Sequence, residues 1–114
     1  MFVRWKRRKM ICFYGEYQKS AILVESYRNE NGLPRQRYIK ALGGIIEGRE
    51  HMEGHQIGFW EKNDQALSEL ELSDDDREKI MNALLAVCER PDMEKVYALR
   101  AEMRAMTESI RGKL

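Results

Sequence analysis

Five cations in six residues, Arg4, Lys6, Arg7, Arg8 and Lys9, surround one aromatic, Trp5, near the start of the chain. Lysine and arginine neutralise phosphates with counterion release, and an aromatic ring stacks on a base or wedges a groove. This set therefore suits a polyanion better than a reaction centre. Four more cations, Arg28, Arg35, Arg37 and Lys40, fall in AILVESYRNENGLPRQRYIKAL, residues 21–42. Asn31-Gly32 tolerates the positive φ of a tight type I′ turn, so this stretch is expected as one basic β-hairpin. With that turn Arg28 faces Arg35, Ser26 faces Arg37 and Val24 faces Ile39; a four-residue loop from Asn29 to Gly32 keeps the same parity. Either way Arg28, Arg35 and Arg37 share a sheet face with Ile22, Val24 and Ile39, while Tyr27 and Tyr38 fall opposite with Leu23. Like charges stacked across a ladder are unfavourable and call for an anion or carboxylates nearby. The competing explanation is a solvated edge strand whose charges deter aggregation.

The other chemistry-bearing residues lead less far. His51, Glu53 and His55 form H-x-E-x-H, which lacks a third ligand and is not the HExxH of metalloproteases. Asp74, Asp75 and Asp76 follow Ser73, where a helix start accounts for them. Met103 and Met106 fit a core stripe, a partner groove or a helical dimer seam. GGIIEG matches neither the P-loop nor the dinucleotide fingerprint, and no serine lies in a nucleophile elbow. No enzyme, cofactor or metal is expected.

The elements that must position these residues follow from pattern. The 114 residues, 13.5 kDa, 43% hydrophobic and 34% charged, suit one domain. Residues 1–50 carry a net +6 and residues 51–114 a net −5. This asymmetry points either to nucleic-acid or membrane contact by the basic half or to acidic helices neutralising a basic sheet. Cys12 and Cys88 form no CxxC pair; without an apolar signal segment, a cytoplasmic chain with reduced thiols is expected. Phe2 to Lys9 reads as a strand with Val3, Trp5 and Arg7 on one face and Phe2, Arg4, Lys6 and Arg8 on the other. Met10 to Tyr14 extends it or bends back, and residues 16–20 read as a polar connector. The second hairpin strand is expected from Leu33 to about Leu42, ended by Gly43-Gly44. Three helices then follow: one through Phe59, Trp60, Leu67 and Leu70, one capped by Ser73, and one opened by Pro91 at its first position and running from Asp92 to about Arg111. The expectation is α+β, a three-stranded antiparallel sheet and about three helices: a basic sheet module over 1–44, a glycine-containing connector over 45–58 and an acidic helical part over 59–114.

MFVRWKRRK followed by LVESYRNENGLPRQRYIKALG resembles the N-terminal module of DDE-type insertion-sequence transposases. The matching positions are Leu23 to Arg28, Gly32, Pro34 to Arg37 and Leu42-Gly43. FWEKNDQALSELELSDDDREKI with ERP is similar to short bacterial proteins of unknown function associated with mobile or horizontally acquired DNA. The resemblance implies contact with DNA ends or subunit docking by Arg4 to Lys9, Arg28, Arg35, Arg37 and Lys40; the chain has no room for the carboxylate-bearing catalytic core. The expected role is non-catalytic nucleic-acid binding, DNA before RNA, with stacking on Trp5 or Tyr38. The rival is a protein-interaction adaptor or inhibitor using Asp74 to Asp76, Glu78, Glu89, Glu94 and Glu102, and a homodimer through the last helix is compatible with either.

Overall fold

The computed structural model of the chain describes residues 1–10 and 16–112. Strands β1 (Phe2–Lys9), β2 (Tyr17–Arg28) and β3 (Pro34–Ile46) form an antiparallel sheet in the order β1-β2-β3. Helices α1 (Glu53–Ser68), α2 (Asp74–Leu85) and α3 (Met93–Gly112) follow, completing an α+β fold. β1 has the expected bounds. The expected continuation through Tyr14 lies, past Met10, outside the described residues.

Alternation along β1 decides which face meets the helices. Val3 pairs with Leu23 and Trp5 with Ala21, and this apolar face receives Phe59, Trp60, Ala66 and Leu67 of α1, Ile80 and Leu84 of α2, then Cys88 and Met93. Phe59, Trp60, Asn63, Ala66 and Leu67 recur at helical spacing, so α1 buries one stripe. Trp5 stacks on Phe59 with ring centroids 6.2 Å apart, and Trp60 meets Phe59 edge-on at 5.5 Å. Of these rings Phe59 and Trp60 are fully buried, and full burial of a side chain such as Phe59 stabilises the fold by about 1.5–3 kcal/mol.

One glycine sets the approach of α1 to β3. A Cβ on Gly43 would lie 2.5 Å from the Phe59 carbonyl oxygen and 2.8 Å from Asn63 Nδ2. With no side chain there, the Gly43 N–H donates to Asn63 Oδ1 at 2.9 Å, and Asn63 Nδ2 donates to Phe59 O at 2.9 Å. Asn63 is fully buried with both amide atoms satisfied.

Several expected boundaries shift. Residues 17–20 are no connector: they belong to β2, bonded to β1 on one side and β3 on the other, with Lys19 opposite both Arg7 and Ile45. A strand paired on both sides satisfies its backbone whatever its side chains, so their polarity did not exclude it. Gly43-Gly44 do not end β3, because there the sheet is approached closely, by α1 at Gly43 and by Gln18 and Ser20 at Gly44. The expected boundary after residue 44 therefore falls inside β3, and the one before residue 59 falls inside α1. α1 begins at Glu53, where buried Gln56 anchors its first turn by donating to Glu50 O at 2.8 Å. Packing here overrides the poor helix propensity of Gly54 and Gly58.

Ser73 caps α2, its Oγ accepting from the Asp76 N–H at 3.2 Å with three aspartates in the first turn. α2 ends at Leu85, well before Pro91. Pro91 also precedes α3 instead of occupying its first position: Asp92 is the cap, its Oδ1 accepting from the Lys95 N–H at 3.2 Å. Asp64 joins the helices, accepting from Arg90 at 2.8 and 2.9 Å and from the Tyr97 hydroxyl at 2.7 Å. Arg90 also lies over the Trp60 ring at 5.0 Å. Among the described residues no helix is long and apolar enough to cross a membrane.

Candidate nucleic-acid interface

The hairpin turns through five residues, Asn29 to Leu33, one more than the longest loop expected. Arg28 pairs with Pro34, Tyr27 with Arg35, Ser26 with Gln36 and Glu25 with Arg37. Asn29 organises the loop, its Oδ1 accepting from the N–H groups of Asn31 at 3.0 Å and Leu33 at 2.9 Å. The Asn29 N–H donates to Leu33 O at 3.0 Å, and Gly32 takes φ 74°. The added residue reverses the expected parity. Arg35 and Arg37 share a face with Tyr27 and Glu25, and the Arg37 guanidinium lies 4.6 Å from the Tyr27 ring centre. Arg28 lies on the opposite face with Ser26 and Gln36, and Arg28 Nη1 donates to Gly32 O at 3.0 Å. The three arginines expected together are split between two faces.

The face turned away from the helices is ordered in rows across the three strands. Phe2, Val24 and Tyr38 form one row, Arg4, Ile22 and Ala41 the next, then Lys6, Ser20 and Gly44, then Arg8, Gln18 and Ile46. Ser26 with Gln36 and Arg28 with Pro34 continue this face past the end of β1. Register shifts in the β2–β3 ladder keep these rows in phase and leave Lys40 opposite Leu23, on the helix side. Val24 is 2% exposed yet stands outside the helix-packed core, in a row whose ends are Phe2 and Tyr38, 39% and 61% exposed. Tyr38, expected opposite Val24, thus shares its face. Arg4, Lys6 and Arg8 are exposed at every second residue of one strand, about 6.8 Å apart, close to the separation of successive phosphates on an extended nucleic-acid strand. Arg4 Nη1 donates to Gln36 Oε1 at 3.2 Å, bridging over β2.

The candidate cations divide by partner. Arg7, on the helix side, grips Glu47 at 2.6 and 3.0 Å and lies 3.8 Å from the Tyr17 ring centre. The hydrogen bonds between them raise the Arg7 guanidinium and hold the Glu47 carboxyl below the usual range. Lys40 pairs with Glu69. Arg4, Lys6, Arg8, Lys9, Arg28, Arg35 and Arg37 have no carboxylate in ion-pair range among the described residues.

Trp5 is not a surface ring; it is half-buried against Phe59, because its parity is that of Val3. Among the described residues, the rings on the uncovered face are Phe2 and Tyr38. Phe2 was legible as a candidate from the alternation that groups it with Arg4, Lys6 and Arg8. His51 lies in the turn before α1 and His55 in its first turn, and no three His, Cys, Asp or Glu side chains converge among the described residues. Buried Cys88 has its thiol pushed up by burial and by the nearby Glu50 and Glu89 charges, the reverse of an activated nucleophile. No protein-family model, curated protein or solved structure matches this chain.

Proposed function

We propose that this chain is a non-catalytic nucleic-acid-binding protein, with DNA as its target. The observation that carries the reading is the uncovered sheet face, where Arg4, Lys6, Arg8 and Arg28, none of them ion-paired among the described residues, lie beside the exposed rings of Phe2 and Tyr38. Ion pairing within the fold accounts for Arg7, held by Glu47 beside it in the basic half, and for Lys40, held by Glu69 of the acidic half, but leaves these four without a counter-charge among the described residues. The cations hold phosphates, and the rings offer contact to bases without hydrogen-bonded readout, so affinity is electrostatic and sequence preference slight. A two-stranded ribbon such as the one past Val24 fits the major groove of B-form DNA, whereas the deep, narrow groove of duplex RNA excludes it. The resemblance of residues 23–43 to a transposase N-terminal module supports the same reading, a DNA contact in the setting of a mobile element.

The test is fluorescence anisotropy with random-sequence duplex DNA, single-stranded DNA and duplex RNA over a salt series. Four phosphate contacts give a slope of log K against log salt of about −3.6 on duplex DNA and about −2.8 on single strands. The R4A/K6A/R8A variant reduces the duplex slope to about −1. Absence of binding at low salt refutes the proposal and leaves a protein partner for the acidic helices as the reading to pursue.

A further inference from the structure

Helix α3 leaves the body of the protein. Met93 is its one buried residue, and its attachments are the Tyr97 hydroxyl on Asp64 and the Arg100 guanidinium on Glu61, both in α1. From residue 101 to residue 112 every position is exposed, a projecting length of about 18 Å. Helix of that length is marginal in water by itself. Along the projection Leu99, Met103, Met106 and Ile110 are 50%, 68%, 65% and 61% exposed and continue from half-buried Val96. The spacing from Val96 to Ile110 is three, four, three, four, the a/d seam of a helix that packs against another helix. This seam is turned about a third of the way around α3 from the side that Tyr97 and Arg100 present to α1, so attachment to the body leaves it open.

We infer that this seam pairs with the seam of a second copy of the chain, antiparallel, with Met103 of each copy opposite Met106 of the other and Leu99 opposite Ile110. An isologous contact needs a surface complementary to itself, and an a/d stripe reversed on a copy of itself meets that need. Flanking charge selects the direction. In a parallel pair Lys95 falls beside the other copy's Arg100, cation against cation. In the antiparallel pair Arg100 falls beside Thr107 and Glu102 beside Ser109, with no like charges opposed. Antiparallel pairing also sends the two sheet-bearing bodies to opposite ends of the helix pair, where they do not collide. Area sets the strength: the four exposed seam residues form an apolar strip on the order of 400 Å². Two copies therefore bury roughly 800–1,000 Å², less than a stable specific interface and in the range of weak, transient association, so the dimer forms only at micromolar concentration or above.

Sedimentation equilibrium on the full chain from about 1 to about 500 μM tests this. The expected result is a concentration-dependent shift from 13.5 kDa to twice that mass. M103K and M106E, at positions that touch nothing in the monomer core, each hold the chain monomeric with unchanged far-UV circular dichroism. Mixing the two restores the dimer, because the antiparallel register alone places the introduced cation opposite the introduced carboxylate. A chain monomeric throughout overturns the inference, as does a dimer that survives both substitutions or a mixture that stays monomeric. A wild-type monomer whose α3 binds phosphatidylcholine vesicles also overturns it, assigning the seam to lipid. Nucleic-acid binding is scored separately, since neither substitution touches the sheet.

Discussion

Replacing Asn63 with alanine tests the contact that seats α1 on the sheet. The Asn63 side chain is fully buried and receives the Gly43 N–H at 2.9 Å. Truncation leaves that N–H buried without an acceptor, at a cost of about 1–3 kcal/mol. Lost packing around the missing amide adds about 1 kcal/mol, so Asn63→Ala destabilises by about 2–4 kcal/mol in total. Gly43→Ala attacks the same contact from the other side. Its Cβ would lie 2.5 Å from a backbone oxygen that has no rotamer to give, and such overpacking costs about 1–3 kcal/mol. Once α1 has been pushed away the hydrogen bond is already weakened, so the double variant loses less than the two separate losses, by about 1–2 kcal/mol. Urea unfolding followed by far-UV circular dichroism reads all three, with the midpoint moving and the slope unchanged. A loss below about 0.5 kcal/mol for Asn63→Ala, or strict additivity, refutes the assignment of helix seating to this pair.

Other outcomes are open to simple measurement. Asn29→Ala removes the acceptor for two loop N–H groups and costs about 0.5–1.5 kcal/mol by urea unfolding; Gly32→Ala, at φ 74°, costs about 1 kcal/mol. Tyr97 is pushed up from 10 to about 12, first by burial and then by its hydrogen bond to Asp64. Its contribution to stability is complete below pH 10 and lost as pH rises through about 12. Absorbance titration of the phenols shows this late step, and Tyr97→Phe abolishes it. Glu47 is held below its ordinary 4.5 by Arg7, so the stability it contributes is present above pH 4.5 and lost as pH falls through its folded value. Glu47→Gln removes that part of the acid-side decline in an unfolding series, whereas an unchanged acid limb disproves the coupling.

Legibility in the sequence followed the range of the interaction. The bounds of β1, the Ser73 cap and the grouping of Phe2 with Arg4, Lys6 and Arg8 come from alternation and local side chain-to-backbone bonding, and the structure has all three. The hairpin parity did not come through. The Asn-Gly signal locates a turn, but loop length was decided by the Asn29 side chain, and a one-residue difference exchanged the faces of Arg35, Arg37 and Tyr38. Tyr17 to Ser20 looked like linker because their strand character comes from partners on both sides, which are remote in sequence. The Gly43-Gly44 pair looked like a terminator because the helix that requires a missing Cβ begins ten residues later. Trp5 was assigned to the surface by the charge around it, although its own parity with Val3 placed it under α1.

Past the pairing of Phe2 with Val24, the sheet narrows to a ribbon of two strands. Glu25 to Arg28 and Pro34 to Arg37 hold each other, with β1 no longer alongside. Separating them uncovers little apolar surface beyond the Tyr27 ring under Arg37, so the tip opens at lower free-energy cost than the three-stranded part. Amide hydrogen exchange therefore runs as a gradient along β2, slowest at Ala21 to Val24 and fastest toward Arg28. A ribbon with that freedom twists and bends independently of its base and carries Arg28, Arg35 and Arg37 with it.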